Sequence, residues 1–304
     1  MEIVMHCEPN TPPMLWSQFL KMAPVNSIAI DGYVIGRPRY DSRRSIMNAN
    51  HHEEVDRFST RCTAAQILIL IRTGLLQSFS TCPQLHVFFN DCDQDVCLAI
   101  NLLKNAVLSR QVVNPIYNRI AFIEDMLDTT GGTYAFPADL DGMKENNWIF
   151  EPYTTARRNG VLTRRDPAEF LQVVELVNHR INQTLVGKGE HLPLDTRYRL
   201  LANHSNWRLV EEQGLNARTG IYADGITAFV SVRVRPLSRF TYTLCRSGIW
   251  IPFNIPEMIK ALNKEEGDPI NRWGGGTTIA GSPRATGSRL TPEEVTAIVA
   301  KCLN

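Results

Sequence analysis

The segment Phe89-Asn90-Asp91-Cys92-Asp93-Gln94-Asp95 sets three carboxylates at alternate positions, where an apolar run ends and a helical pattern begins. Like charges this close repel one another, and a cation is the usual compensation. Hard cations such as Mg2+ and Mn2+ take oxygen ligands. The competing reading is a solvated loop with an aspartate helix cap; an EF-hand is ruled out because the glycine and glutamate it needs are missing. A second segment, Asn48-Ala49-Asn50-His51-His52-Glu53-Glu54-Val55-Asp56, carries adjacent histidines. On a loop they can give one imidazole to a metal and the other to a substrate or leaving group, although such a pair alone is also a common surface feature. Arg37, Arg39, Arg43 and Arg44 lie between Asp31 and His51 and match phosphate oxygens, or else form a solvated basic loop. In the C-terminal half, Gly274, Gly275, Gly276 and Arg284 could wrap a phosphate in backbone N–H groups, and Arg246 is the better single candidate for gripping it.

These residues need a frame. Ser27 to Ile30 and Leu85 to Phe89 read as buried strands, each ending at an acidic position, Asp31 and Asp91. Helical patterns follow at about 63–72, 94–105 and 116–127, which predicts an α/β domain with a mostly parallel sheet. Ligands of such sheets bind beyond the carboxyl ends of the strands, where these acids lie. Asp166-Pro167-Ala168-Glu169 is a helix start, and Phe170, Val173, Val174, Val177, Ile181 and Leu185 recur at helical spacing until Gly187. That helix is expected to connect two halves, with the boundary at 156–165. Beyond it, 228–234 and 240–245 read as antiparallel strands and Thr291-Pro292-Glu293-Glu294 caps a last helix, giving a smaller α+β domain. The expected division is a metal-binding domain over 1–155, a linker and connecting helix over 156–200, and a substrate-binding domain over 201–304, with the substrate between the two domains.

A chain of 304 residues with 43% hydrophobic content can build two packed cores. The formal net charge of +1 leaves no global field for polyanions. The seven cysteines, at 7, 62, 82, 92, 97, 245 and 302, lack both zinc-site pairing and disulfide-scaffold density, and read as reduced thiols in a cytoplasm. The opening residues do not read as a signal peptide, and Ile67 to Ile71 is far too short to span a membrane. A homo-oligomer is left open.

Asn50-His51-His52 on a loop, a strand leading into Asp91-x-Asp93-x-Asp95, and the run Gly274-Gly275-Gly276-Thr277-Thr278-Ile279-Ala280-Gly281 together resemble the DHH phosphoesterase superfamily with its associated C-terminal domain. The resemblance implies hydrolysis of a phosphodiester or pyrophosphate bond in a small phosphorylated molecule or short oligonucleotide, with two ions of Mn2+ or Mg2+. It implies metal-ligand roles for Asp31, His51, Asp91, Asp93, Asp95 and Asp128 (Asp125 being the second choice for the last), a catalytic role for His52, and substrate contacts from Arg246 and the glycine-rich run. The sequence departs from the family in three places: Asn50 stands for an aspartate, Thr277 stands where histidine is frequent, and the triple-aspartate motif follows the histidine pair. The last would need a circularly permuted metal domain, which keeps a three-dimensional site while moving the chain ends. The alternative is a degenerate member that binds a nucleotide or phosphate without turnover; a third possibility is a mononuclear-metal hydrolase of unrelated fold.

Overall fold

The computed structural model describes residues 2–79, 84–110 and 114–303, so Cys82 lies outside the described residues. It divides into two compact units, Met1–Thr129 with Asp141–Pro193, and Thr130–Leu140 with Leu194–Asn304.

The first unit is α/β. Its five-stranded sheet runs in the order Glu2–Cys7, Gln84–Phe89, Ser27–Ile30, Ile46–Ala49, Arg39–Asp41, with every pairing parallel except the last. The two apolar runs read from the sequence are neighbours at its centre. Alternation along them feeds two cores: Ile28, Ile30, Met47, Ala49, Val87 and Phe89 pack on one face, and Ala29, Ile46 and Phe88 on the other. Strands covered on both faces are continuously apolar rather than alternating, which is why these runs stand out in the sequence. The larger core is closed by helices Thr63–Arg72, Gln94–Lys104, Pro115–Thr129 and Pro167–Leu185. The last packs on this core, as its apolar spacing predicts: its buried Phe170, Val173, Val174, Val177 and Ile181 belong to the same cluster. The registers Ile30↔Ala49 and Ala29↔Phe88 bring the carboxyl ends of the three inner strands side by side.

The second unit is α+β, with a six-stranded sheet that is antiparallel apart from the pairing of Ala228–Arg235 with Arg208–Glu212. Helices Ile255–Glu266 and Pro292–Leu303 cover it, the latter entered through a capping box in which Glu294 accepts from Thr291 N and Thr291 Oγ1 accepts from Glu294 N. No described helix is long and apolar enough to cross a membrane.

The start of the 167–185 helix gives a direct stability test, because Asp166 Oδ1 accepts from Ala168 N at 2.8 Å. Asp166→Ala should cost about 1 kcal/mol and Asp166→Asn much less, since asparagine caps about as well as aspartate. Urea midpoints followed by circular dichroism check this; equal losses in the two variants would show that the cap contributes nothing.

Candidate metal centre

The site forms where the three inner strands end. Asp31 follows the 27–30 strand with φ +49, the left-handed region that aspartate tolerates better than most residues, while its N–H remains on Ala49 O at 3.0 Å. The 46–49 strand ends one residue before Asn50-His51-His52, and Asn50 sets the backbone of both histidines. Its Oδ1 accepts from the backbone N–H of His51 (2.8 Å) and of His52 (3.1 Å), while Nδ2 donates to Val34 O, Gly36 O and Glu53 Oε2. The two hydrogens of Nδ2 are shared among these acceptors, and an ionised aspartate could donate to none of them. The departure at position 50 therefore has a structural reason: the amide orients both histidines and ties their loop to its neighbour.

Asp95 arrives from the helix Gln94–Lys104 and Asp128 from the helix Pro115–Thr129. His51 Nε2 lies 2.8 Å from Asp128 Oδ2, 3.4 Å from Asp31 Oδ1 and 3.8 Å from Asp95 Oδ2. His52 Nε2 lies 2.7 Å from the same Asp31 Oδ1. Two overlapping donor sets result, Asp31–His51–His52 and His51–Asp95–Asp128, within each of which one ligand atom per residue lies within 4.8 Å of the others. His51 is common to the two sets, and Asp31 reaches both of its neighbouring imidazoles. Both ring nitrogens of His51 and Asp128 Oδ2 are buried without a hydrogen-bond partner of good geometry. Buried polar atoms are rarely left so, and donors converging on one point are satisfied by a cation. Imidazole nitrogen with carboxylate oxygen suits Mn2+ and, less selectively, Mg2+.

The electrostatics agree. Burial alone would lower the His51 imidazole, but the adjoining Asp128 and Asp31 carboxylates outweigh it and push its pKa up to about 10. Burial would raise Asp31, yet the two imidazoles hold it well below the usual carboxylate range. Asp95 is pushed up to about 7 by burial and then by the charges of Asp31 and Asp128, although His51 and the N–H of Ala64 offset part of this. Asp93 and Glu124 are raised well above their ordinary values, by burial first and by the surrounding carboxylates second.

The three aspartates of the alternating motif separate in role. Asp95 faces His51, and its two oxygens also accept from Thr63 N and Ala64 N at 2.7 Å each, at the start of the 63–72 helix. Asp93 is the N-cap of the 94–104 helix, accepting from Val96 N at 3.0 Å, and Asp91 accepts from Cys92 N at 2.7 Å. Of the two carboxylates weighed on the 115–129 helix, Asp128 meets His51, whereas Asp125 is spent on Cys62 N (2.7 Å) and Arg61 Nη1 (2.6 Å). Among the arginines ahead of the histidines, Arg39 pairs with Glu54, Arg44 donates to the carbonyls of Leu20 and Ala23, and Arg37 and Arg43 are exposed. In the second unit Arg246 is buried, with Nε on Thr277 O (2.6 Å) and Nη1 on Ile249 O and Ile251 O. Gly274 and Gly275 form a short strand against 279–281, and Gly276 N already bonds Ile279 O at 2.8 Å. A Cβ on Gly275 would meet Ala280 Cα at 2.4 Å, so glycine is required there for close backbone approach. Arg284 is exposed.

Three further residues at the site were not marked by their sequence context. Thr63 Oγ1 lies 3.2 Å from Ala49 O and 3.5 Å from Asp31 Oδ1. Glu124 is buried with Oε2 unpartnered, one helical turn from Asp128, a spacing that could have drawn attention to it. Arg57 donates to Asp128 through Nη2.

Both raised groups bind their protons more tightly in the folded chain. The contribution of Asp95 to metal-free stability is complete below the ordinary carboxylate pKa and is lost as pH rises through about 7; that of His51 is complete below the ordinary imidazole pKa and is lost through about 10. A cation has to displace these protons, so Mn2+ affinity should climb from about pH 6 to about pH 8, with roughly one to two protons released per chain near neutrality. Calorimetry in buffers of differing ionisation enthalpy measures that release; pH-independent binding without proton release would place the ion elsewhere.

No family model matches the chain, and no curated protein matches it. Among solved structures, an exopolyphosphatase-related protein from Bacteroides fragilis aligns at 10% identity and a TM-score of 0.29, covering 95% of this chain and 74% of that one. A likeness this distant carries no argument about fold or function.

Proposed function

We propose that this chain is a divalent-metal-dependent phosphoesterase that hydrolyses a phosphodiester or pyrophosphate bond in a small phosphorylated molecule or short oligonucleotide. The observation that carries the reading is the convergence of Asp31, His51, His52, Asp95 and Asp128, from separate segments of the first unit, into two donor sets with orphaned buried atoms. A divalent cation held there supplies Lewis acidity toward a phosphoryl oxygen and toward water. The protein groups do the rest. Asp31, shared by both imidazoles and kept ionised by them, would hold the cation together with His51, Asp95 and Asp128, of which His51 and Asp95 are buried. His52 is 30% exposed at its side chain and hydrogen-bonded to Asp31 at 2.7 Å, so it is oriented yet reachable and can pass a proton to the leaving oxygen. Asp93 and Asp91 act in this reading as helix-start groups near the ligands. In the second unit, Arg246 holds the 249–251 and glycine-rich loops together through their carbonyls.

The test is hydrolysis of a generic aryl phosphodiester and of pyrophosphate with Mn2+, with Mg2+ and with chelator. Turnover should need the cation. Asp128→Asn should lose both metal and activity, whereas His52→Asn should keep the ion held by His51, Asp95 and Asp128 and lower kcat by about 10²- to 10⁴-fold. Asp95→Asn is a poorer probe, because an amide cannot accept from both Thr63 N and Ala64 N. Metal and phosphate binding without any turnover would favour the degenerate binding module instead.

A further inference from the structure

The first unit offers its own cation for a phosphoryl group. We propose that Arg57 is the phosphate-contacting arginine of the metal centre, an inference that rests on the phosphoesterase reading above. Asp128 links the two: its Oδ2 lies 2.8 Å from His51 Nε2, while its Oδ1 and backbone O accept from Arg57 Nη2 at 3.1 and 3.0 Å. The guanidinium therefore stands one carboxylate away from the donor sets, and 39% of the side chain is open to solvent. It is also incompletely engaged. Arg119 binds Glu145 through both Nε and Nη2, and Arg164 binds Glu169 in the same way, as structural arginines do. Both bonds from Arg57 to Asp128 run through Nη2, and its Nε is buried without a partner among the described residues. A guanidinium carries five donors, so acceptors remain to be supplied.

The backbone around Arg57 is fixed rather than loose. Asp56 Oδ1 accepts from Phe58 N at 3.0 Å and Asp56 O from Ser59 N at 3.1 Å, forming a turn across the arginine. Farther along, Asp125 clamps Arg61 and Cys62 N. A guanidinium presented from a pinned turn loses little freedom when it meets a ligand, and charge developing on phosphoryl oxygens is what such a preorganised cation stabilises. The carboxylates of the centre repel an incoming phosphate, so a cation at its rim also offsets that field.

The experiment uses the full chain and orthophosphate as probe. Mn2+ affinity, orthophosphate affinity of the Mn2+-loaded protein, and kcat/KM on the best phosphoester are measured for wild type, Arg57→Ala, Arg57→Lys and Arg57→Gln, with circular dichroism confirming the fold. Gln retains an N–H for the Asp128 carbonyl and covers the case in which Ala does not fold. The expected result is Mn2+ affinity within about three-fold of wild type, orthophosphate affinity and kcat/KM both down roughly ten- to a hundred-fold in Ala and Gln, and partial recovery in Lys. A parallel loss of Mn2+ would make Arg57 a brace for Asp128 and overturn the proposal, as would undiminished phosphate affinity. Wild type that takes up no Mn2+ would remove the phosphoesterase reading itself, a distinguishable failure that takes the inference with it.

Discussion

Carboxylates crowded out of water around one buried imidazole set the terms for this molecule. Asp31, Asp95 and Asp128 all lie within 4 Å of His51 Nε2, and Glu124 stands buried behind them. Burial penalises every one of those charges, and each penalises the others. The chain meets the cost by several routes at once: His51 retains a proton, Asp31 stays ionised between two imidazoles, and Asp95 and Glu124 are driven toward their protonated forms. A divalent cation placed among these groups would relieve the repulsion, which is what makes the cluster a candidate metal centre.

Much of the first unit is organised to hold that crowding in place. The side-chain oxygen of Asn50 accepts from two histidine N–H groups, and the two hydrogens of its nitrogen are shared among two carbonyls and Glu53, which ties the histidine loop to its neighbours. Asp95 accepts from the first two N–H groups of the 63–72 helix, which couples a ligand candidate to the orientation of a core helix and lets the positive end of that helix dipole share its charge. Asp125 fastens the other end of the histidine loop to the helix that carries Asp128. Strand register does the coarse alignment, and these side chains do the fine one.

The second unit is organised differently. Its buried charges are paired off internally: Glu266 accepts from Trp273 Nε1, Ser288 Oγ and Arg289 N, and Arg246 is covered by three backbone carbonyls. Among the described residues of that unit, no set of converging histidines and carboxylates matches the one in the first.

The sequence alone determined the elements and the neighbourhoods. Runs buried on both faces announced the 27–30 and 84–89 strands, and capping chemistry at Asp166 and Thr291 announced helix starts, because these signals are local and depend only on side-chain polarity and backbone demand. The same residue types also marked Asp31 and His51 as metal-ligand candidates and His52 as a catalytic one. What the sequence could not decide was which oxygen faces which partner. Asp91, Asp93 and Asp95 are chemically identical and two residues apart, yet one accepts from its neighbour's N–H, one caps a helix, and one reaches His51. Asp125 and Asp128 sit only about 60° apart around their helix, and the packing of that helix against Arg61 and Cys62 assigns one to the scaffold and the other to the site. The same applies to Arg57, an ordinary loop arginine until the fold brings residue 128 against it. Periodicity fixes the direction of a side chain relative to its own element, whereas its contacts are fixed by how elements from distant parts of the chain pack together, and only the tertiary structure contains that information.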